Sequence, residues 1–121
     1  MKKLLLFLIF GILMVTGIYF GSTKAEPQPT EVRASHILVN SSYQANQIRQ
    51  DILDGKDTFE NYAEIYSKCP SGKNGGDLGY FQKGQMVPQF EIAAFSLPVG
   101  EISRPIWTPF GWHIIKVTDK R

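Results

Sequence analysis

The chain has 121 residues, with 13 Lys and Arg against 11 Asp and Glu, and a single cysteine. That length accommodates one small domain and excludes a second, while one cysteine excludes an internal disulfide framework. Arg33, Arg49, Lys56, Lys68, Lys73, Lys83, Arg104 and Lys116 are dispersed among acids, which excludes the basic cluster that a nucleic-acid partner requires.

Met1, Lys2 and Lys3 precede an uncharged run from Leu4 to Gly21, followed by Ser22, Thr23, Lys24 and Ala25. A positive start, an apolar stretch and small residues read as an export signal cleaved after Ala25, or as an uncleaved anchor, since the run approaches the ~20 residues of a spanning helix. Either outcome, with the lysines retained inside, places the remainder outside the cytoplasm, with membrane association through residues 4–21 in the anchored case. Three of the 13 basic residues and none of the 11 acidic ones lie in residues 1–25, so the remainder carries a net charge of −1. The division is therefore residues 1–25 as signal or anchor, 26–30 as linker and 31–121 as the functional domain.

Glu26 to Thr30, EPQPT, is expected to be extended and solvated. From Val32 to Val39 the sequence alternates, with Val32, Ala34, His36 and Leu38 on one face of a strand and Arg33, Ser35, Ile37 and Val39 on the other. Ser41 or Ser42 caps a helix whose inner face carries Ala45, Ile48 and Ile52, and Gly55 stops it. Asp57 as N-cap with Glu60 at N3 reads as a capping box for a second helix burying Phe59, Ala63 and Tyr66.

A loop from Ser67 to Gly75 leads into a short strand, Asp77 to Phe81, at which Gly75, Gly76 and Gly79 free the backbone for positive φ or close approach. Pro88 suits the first turn of a helix reaching Phe95, with Phe90 and Ala94 one turn apart. Pro98 to Glu101 reads as a turn, and Ser103 to Thr108 as an edge segment interrupted by Pro105. Gly111 to Val117 is the last strand, with His113, Ile115 and Val117 on one face. Strand, two helices, strand, helix and two strands make an α+β domain with one small sheet covered by helices.

Only two histidines occur, each inside an apolar strand, as SHILV and WHII. A buried imidazole needs hydrogen-bond partners, and if the first and last strands are neighbours, His36 and His113 can supply them to each other. Either histidine alone is more simply a satisfied core residue. Cys69, in SKCPS, is by default a small buried hydrophobe, and a functional role requires a histidine nearby. Leu78, Met86 and Phe90 are by default core, and Thr108 a turn residue.

A zinc site from His36, Cys69 and His113 lacks any recognised ligand spacing. A hydrolase built on Cys69, His113 and Asp77 has the residue types, but no nucleophile motif and no evident donor pair for an oxyanion.

Four segments, ASHILV at 34–39, SKCPSGKNGGDLGYF at 67–81, GQMVPQFEIAAFSLPVGEIS at 84–103 and TPFGWHIIKV at 108–117, together resemble the parvulin family of peptidyl-prolyl cis/trans isomerases. The resemblance runs in order through nearly the whole chain after residue 30. It implies the parvulin-like (FKBP-like) fold, a four-stranded, mainly antiparallel sheet surrounded by helices, and rotation of X–Pro bonds without a cofactor or metal. His36 and His113 match the family's paired histidines at the floor of the active site. Cys69 matches a position held by cysteine or aspartate, and Thr108 the hydroxyl residue linked to the histidines.

The same resemblance makes Leu78, Met86 and Phe90 the pocket for the substrate's proline ring. Phe110 stands where serine is common in relatives, which makes the pocket rim more apolar. Relatives selective for phosphoserine or phosphothreonine before proline carry a basic cluster after the first strand, whereas Asn40 to Gln44, NSSYQ, contains no Lys or Arg. A dianionic phosphate finds no bidentate partner there. The implied partners are proline-containing unfolded or nascent exported polypeptides. The alternative is a binding module that holds such segments without accelerating rotation.

Overall fold

Strand β1, Glu31–Val39, is apolar on both faces because it lies inside the sheet rather than at an edge. The computed structural model describes residues 27–121. Within them β2 (Asp77–Gln82), β1, β4 (Gly111–Lys120) and β3 (Ile106–Thr108) lie in that order, every neighbouring pair antiparallel. The expected sheet is thus four-stranded and wholly antiparallel.

Each face of the sheet buries its own apolar set. Ile37, Val39 and Ile114 point to one side, where helices α1 (Ser42–Leu53) and α2 (Phe59–Tyr66) cover them with Ala45, Ile48, Phe59 and Ala63. Val32, Ala34, Ile115 and Val117 point to the other, where α3 (Pro88–Ser96) contributes Phe90 and Ala94, and β2 contributes Phe81. Side chains such as Ile37 and Ile114 are fully buried, and burial of this kind stabilises by about 1.5–3 kcal/mol for each large aliphatic group.

Helix α1 starts as expected, with the Ser41 hydroxyl accepting the Gln44 N–H at 3.1 Å. Helix α2 corrects the expected cap. Thr58, not Asp57, is its N-cap, accepting the Asn61 N–H at 3.1 Å, while Asp57 Oδ1 accepts from the Thr58 N–H and the Asn61 side-chain amide. Starting one residue later moves Glu60 to N2, where its carboxylate pairs with Lys116 at 3.2 Å instead of closing a capping box. Tyr66, expected inside, is 43% exposed and stacks on Tyr62.

Three boundaries also shift. The loop after α2 contains a 3-10 helix, Pro70–Asn74, started by a proline in its first turn. The edge segment pairs continuously only over Ile106–Thr108, with an isolated bridge from Ile102 to Lys116, because Pro105 interrupts the ladder. Strand β4 continues to Lys120, since β1 starts early enough to pair Val32 with Lys120. The linker is likewise less free than expected, as the Thr30 and Glu31 N–H groups both donate to the Arg121 carbonyl. The apolar run at residues 4–21 lies outside the described residues, among which no helix is long and apolar enough to cross a membrane.

Gly75, Gly76 and Gly79 all have positive φ, 67°, 86° and 71°. At Gly76 the requirement is double. Its carbonyl accepts the His36 N–H at 2.9 Å, and a Cβ added there would lie 2.4 Å from the His36 carbonyl oxygen, which belongs to backbone and cannot rotate away. Gly76→Ala is therefore expected to cost roughly 1–3 kcal/mol, the range for a strained backbone position, read as a lowered urea midpoint at unchanged m-value. A variant as stable as the parent would contradict this close approach.

Candidate active site

The antiparallel register that aligns β1 and β4 also makes the histidine pair. His36 lies opposite Ile115 and Leu38 opposite His113, so the two histidines are diagonal neighbours on one face, the face covered by α3. Their Nδ1 atoms are 2.9 Å apart, with the rings within 20° of coplanar. Thr108, at the end of β3, completes a chain, its Oγ1 lying 2.6 Å from His113 Nε2 and accepting the Phe110 N–H at 3.2 Å.

Both imidazoles are almost entirely buried, and burial pushes each pKa down from 6.5 to about 4, with the charge of His113 adding to the effect on His36. Near neutral pH both are uncharged, and the hydrogen bonds run in one of two senses. If the Thr108 hydroxyl donates to His113 Nε2, His113 Nδ1–H donates to His36 Nδ1, and His36 carries its proton on Nε2. In the opposite sense His36 Nδ1–H donates and its Nε2 is bare. His36 Nε2 is buried without a partner in the structure and ends the chain either way.

Phe90 closes this assembly from α3. Its ring stands edge-on to both imidazoles, at centroid distances of 5.6 Å from His36 and 5.4 Å from His113, and packs on Phe81 at 5.9 Å. A cleft of about 480 Å³ opens over it. Leu78 from β2, Met86 and Val87 before α3, and Phe90 supply its apolar lining; His36, His113 and Cys69 line it as well, together with Phe110, which is 70% exposed.

Of the eight residues singled out from sequence, seven line this cleft. Thr108 does not. It is fully buried, with its hydroxyl against His113 Nε2, and is absent from the cleft lining. Leu38, Lys68, Pro70, Gln85 and Val87 line the cleft without having been singled out. The alternation of β1 had already placed Leu38 on the face of His36, and the others adjoin Cys69 or Met86 in the chain.

The hydrolase constellation does not assemble. Asp77 pairs with Arg33 at 2.5 Å and lines a separate cleft with Ser35, Glu60 and Tyr80, while His113 is engaged by His36 and Thr108. The two Nδ1 atoms face each other at 2.9 Å, and among the described residues no three His, Cys, Asp or Glu side chains converge as ligands.

The rotamase family, described as the PPIC-type PPIase domain, matches residues 28–119 of the chain. The chain belongs to this family. It is 49% identical over 96 residues to the foldase protein PrsA of Oceanobacillus iheyensis, an alignment that takes in 79% of this chain and 32% of that protein. The crystal structure of the peptidylprolyl isomerase PrsA of Bacillus anthracis superposes with a TM-score of 0.74 at 45% identity, over 78% of this chain and 43% of that one. The solution structure of NmPin, the parvulin of Nitrosopumilus maritimus, matches with a TM-score of 0.69 at 43% identity, over 78% of this chain and all of that one.

The parvulin-like fold expected from the four motifs is therefore the fold of this PPIC-type domain: a four-stranded antiparallel sheet with three helices. The chain spans about a third of the length of the curated PrsA relatives it matches.

Proposed function

We propose that this PPIC-type domain is a peptidyl-prolyl cis/trans isomerase that accelerates X–Pro rotation in exported polypeptides, by a non-covalent mechanism and without phosphate selectivity. The observation that carries this reading is one apolar cleft with a neutral, hydrogen-bonded histidine pair built into its wall. The reaction breaks no bond. It must lower a rotational barrier of ~18–20 kcal/mol that otherwise relaxes over tens to hundreds of seconds.

Twisting the amide removes its resonance, so charge withdraws from the carbonyl oxygen and the nitrogen becomes pyramidal. A dry site favours this less polar state over the planar amide, which water solvates well. Leu78, Met86 and Phe90 hold the proline ring, leaving the preceding carbonyl to swing past Cys69 and the histidines. His36 and His113 fix the geometry and local field rather than exchange protons with substrate, which agrees with pKa values far below neutrality. Cys69, half-buried at the start of the 3-10 helix, sets polarity near the carbonyl.

Export is supported by the positive start and uncharged run of residues 1–25, read as signal or anchor ahead of a linker at 26–30 and the domain at 31–121. The absence of phosphate selectivity rests on Asn40 to Gln44, where Ser41 is used as a helix cap and no cation is present. The binding-module alternative has no observation in its favour, since the histidines, Cys69 and the apolar wall are all present.

Refolding of a protein limited by a slow proline phase tests the proposal. Catalytic amounts of the chain should accelerate that phase, whereas binding of the refolding protein with an unchanged rate would favour the module. Cys69→Asp should keep within about tenfold of the parent rate, because the non-covalent route needs no attack by residue 69 and a carboxylate, a poor nucleophile toward an amide, could not replace an attacking thiol; a folded but inactive Cys69→Asp would overturn the non-covalent assignment.

A further inference from the structure

Strand β1 outruns its neighbour on one side, since its ladder with β2 ends at the pair Ser35 and Asp77 while β1 itself continues to Val39. Past that point the loop after α2 stands in for the missing strand. The His36 N–H donates to the Gly76 carbonyl at 2.9 Å, the Lys68 N–H to the Leu38 carbonyl at 2.7 Å, and the Leu38 N–H to the Ser67 hydroxyl oxygen at 3.1 Å. Two of these bonds join backbone groups; the third depends on a side chain.

That same oxygen also accepts the Cys69 N–H at 3.3 Å, so one hydroxyl, through its two lone pairs, ties the backbone of Cys69 to the strand that carries His36. Ser67 is itself held in place. Its N–H donates to the Ala63 carbonyl at 3.0 Å and closes α2, while the Cys69 carbonyl accepts the Gly72 N–H at 3.0 Å inside the 3-10 turn. The Cys69 amide is thus anchored on one side chain, two residues away in sequence and at the cleft lining that Cys69 shares with His36 and Leu38.

We infer that Ser67 is a positioning residue for the isomerisation, acting through Cys69. This rests on the isomerase reading above, in which residue 69 sets polarity near the carbonyl that swings as the amide twists. Such an effect depends on distance, and a shift of about 1 Å in a placed group can lower a rate by as much as ~100-fold. Without the Ser67 oxygen two N–H groups lose their acceptor, and the loop satisfies them only by moving Cys69 relative to His36 or by admitting water. The proline ring is held elsewhere, by Leu78, Met86 and Phe90, so the loss falls on the twisting step rather than on binding.

Ser67→Ala in the full chain tests this by kinetics and by amide exchange. For an Ala-Ala-Pro-Phe anilide, kcat should fall about tenfold with KM within about twofold. Added to Cys69→Ala, the same substitution should cost less than about twofold more, because a residue that acts through Cys69 then has nothing to place. Hydrogen exchange followed by NMR should quicken about tenfold at the Leu38 and Cys69 amides, well beyond any change at Ile114 in the core.

A parental kcat, a loss carried by KM alone, an equal loss with and without Cys69, or unchanged exchange at both amides would overturn the role of Ser67 and leave the isomerase reading standing. A parent chain that accelerates no X–Pro rotation would overturn that reading, and the role of Ser67 with it.

Discussion

Phe90→Ala is expected to cost about 3–5 kcal/mol of stability and to reduce kcat/KM at least tenfold in the fraction that stays folded. The first effect follows from position. Phe90 is 3% exposed and contacts Phe81 and both imidazoles, so truncation leaves a cavity between α3 and the sheet. Against a total stability of about 5–15 kcal/mol for a domain of this size, the variant sits close to unfolding. Activity must therefore be read against the folded fraction given by a urea curve.

The second effect follows from chemistry, because the same ring is a wall of the cleft. Removing it admits water beside the histidines, and a solvated amide loses the differential stabilisation on which the mechanism depends. Phe90→Leu separates the two effects. It refills most of the volume but gives up the edge-on contacts, so stability should recover more than activity. A variant with parental activity at corrected folded fraction would remove Phe90 from the site.

Acid is expected to unfold the domain through its histidines before its carboxylates. His36 and His113 are held near pKa 4 by burial, against 6.5 when free. Between those values the unfolded chain binds protons that the folded chain refuses, so stability falls as pH drops from about 6.5 toward 4 and is fully present above 6.5. For His36 alone the loss between pH 7 and pH 4 is roughly 3 kcal/mol, and protonation of His113 adds to it.

Asp77 belongs to a lower window. Its carboxyl is held below the ordinary value by the hydrogen bonds from Arg33, and that contribution is lost only as pH falls through a lowered pKa. Urea midpoints from pH 8 to 4, with imidazole proton shifts followed by NMR, should show the fall in stability accompanied by no histidine titrating near 6.5 in the folded state. With the pair neutral and in the structural role proposed for it, kcat/KM should stay flat from pH 8 to about 6. A rate limb centred on 6.5, or a histidine titrating there without loss of stability, would contradict this account.

The histidine pair was legible in sequence because both residues broke an apolar alternation, and antiparallel neighbours were enough to bring them together. Leu78, Met86, Phe90 and Phe110 carry no such signal of their own; apolar spacing alone reads as core, and the resemblance of four ordered motifs to the parvulins is what points to them as cleft residues. What escaped depended on positions the alternation does not encode. Thr58 displaced Asp57 as cap because Thr58 and Asn61 satisfy each other one residue later, an outcome that local composition does not separate from the capping box. Tyr66 had the right helical spacing for the core, but α2 ends there and its ring lies over Tyr62 instead.

Lys68 escaped because a solvated lysine carries no periodic signal. Its place beside the cleft is set by the bond from its backbone to Leu38, a contact between segments far apart in sequence. The resemblance implied Thr108 as a partner of the histidines, and only the three-dimensional arrangement shows that it is fully buried against His113 and outside the cleft lining.

The central claim is that this cleft rotates X–Pro bonds rather than merely holding them. Exchange spectroscopy on a short Ala-Pro peptide, with resolved cis and trans resonances, tests it without a coupling protease. With the chain at a small fraction of the peptide concentration, exchange cross-peaks should grow within a second, against tens to hundreds of seconds uncatalysed. Line broadening that reports binding, with no cross-peaks and an unchanged exchange rate, would contradict it.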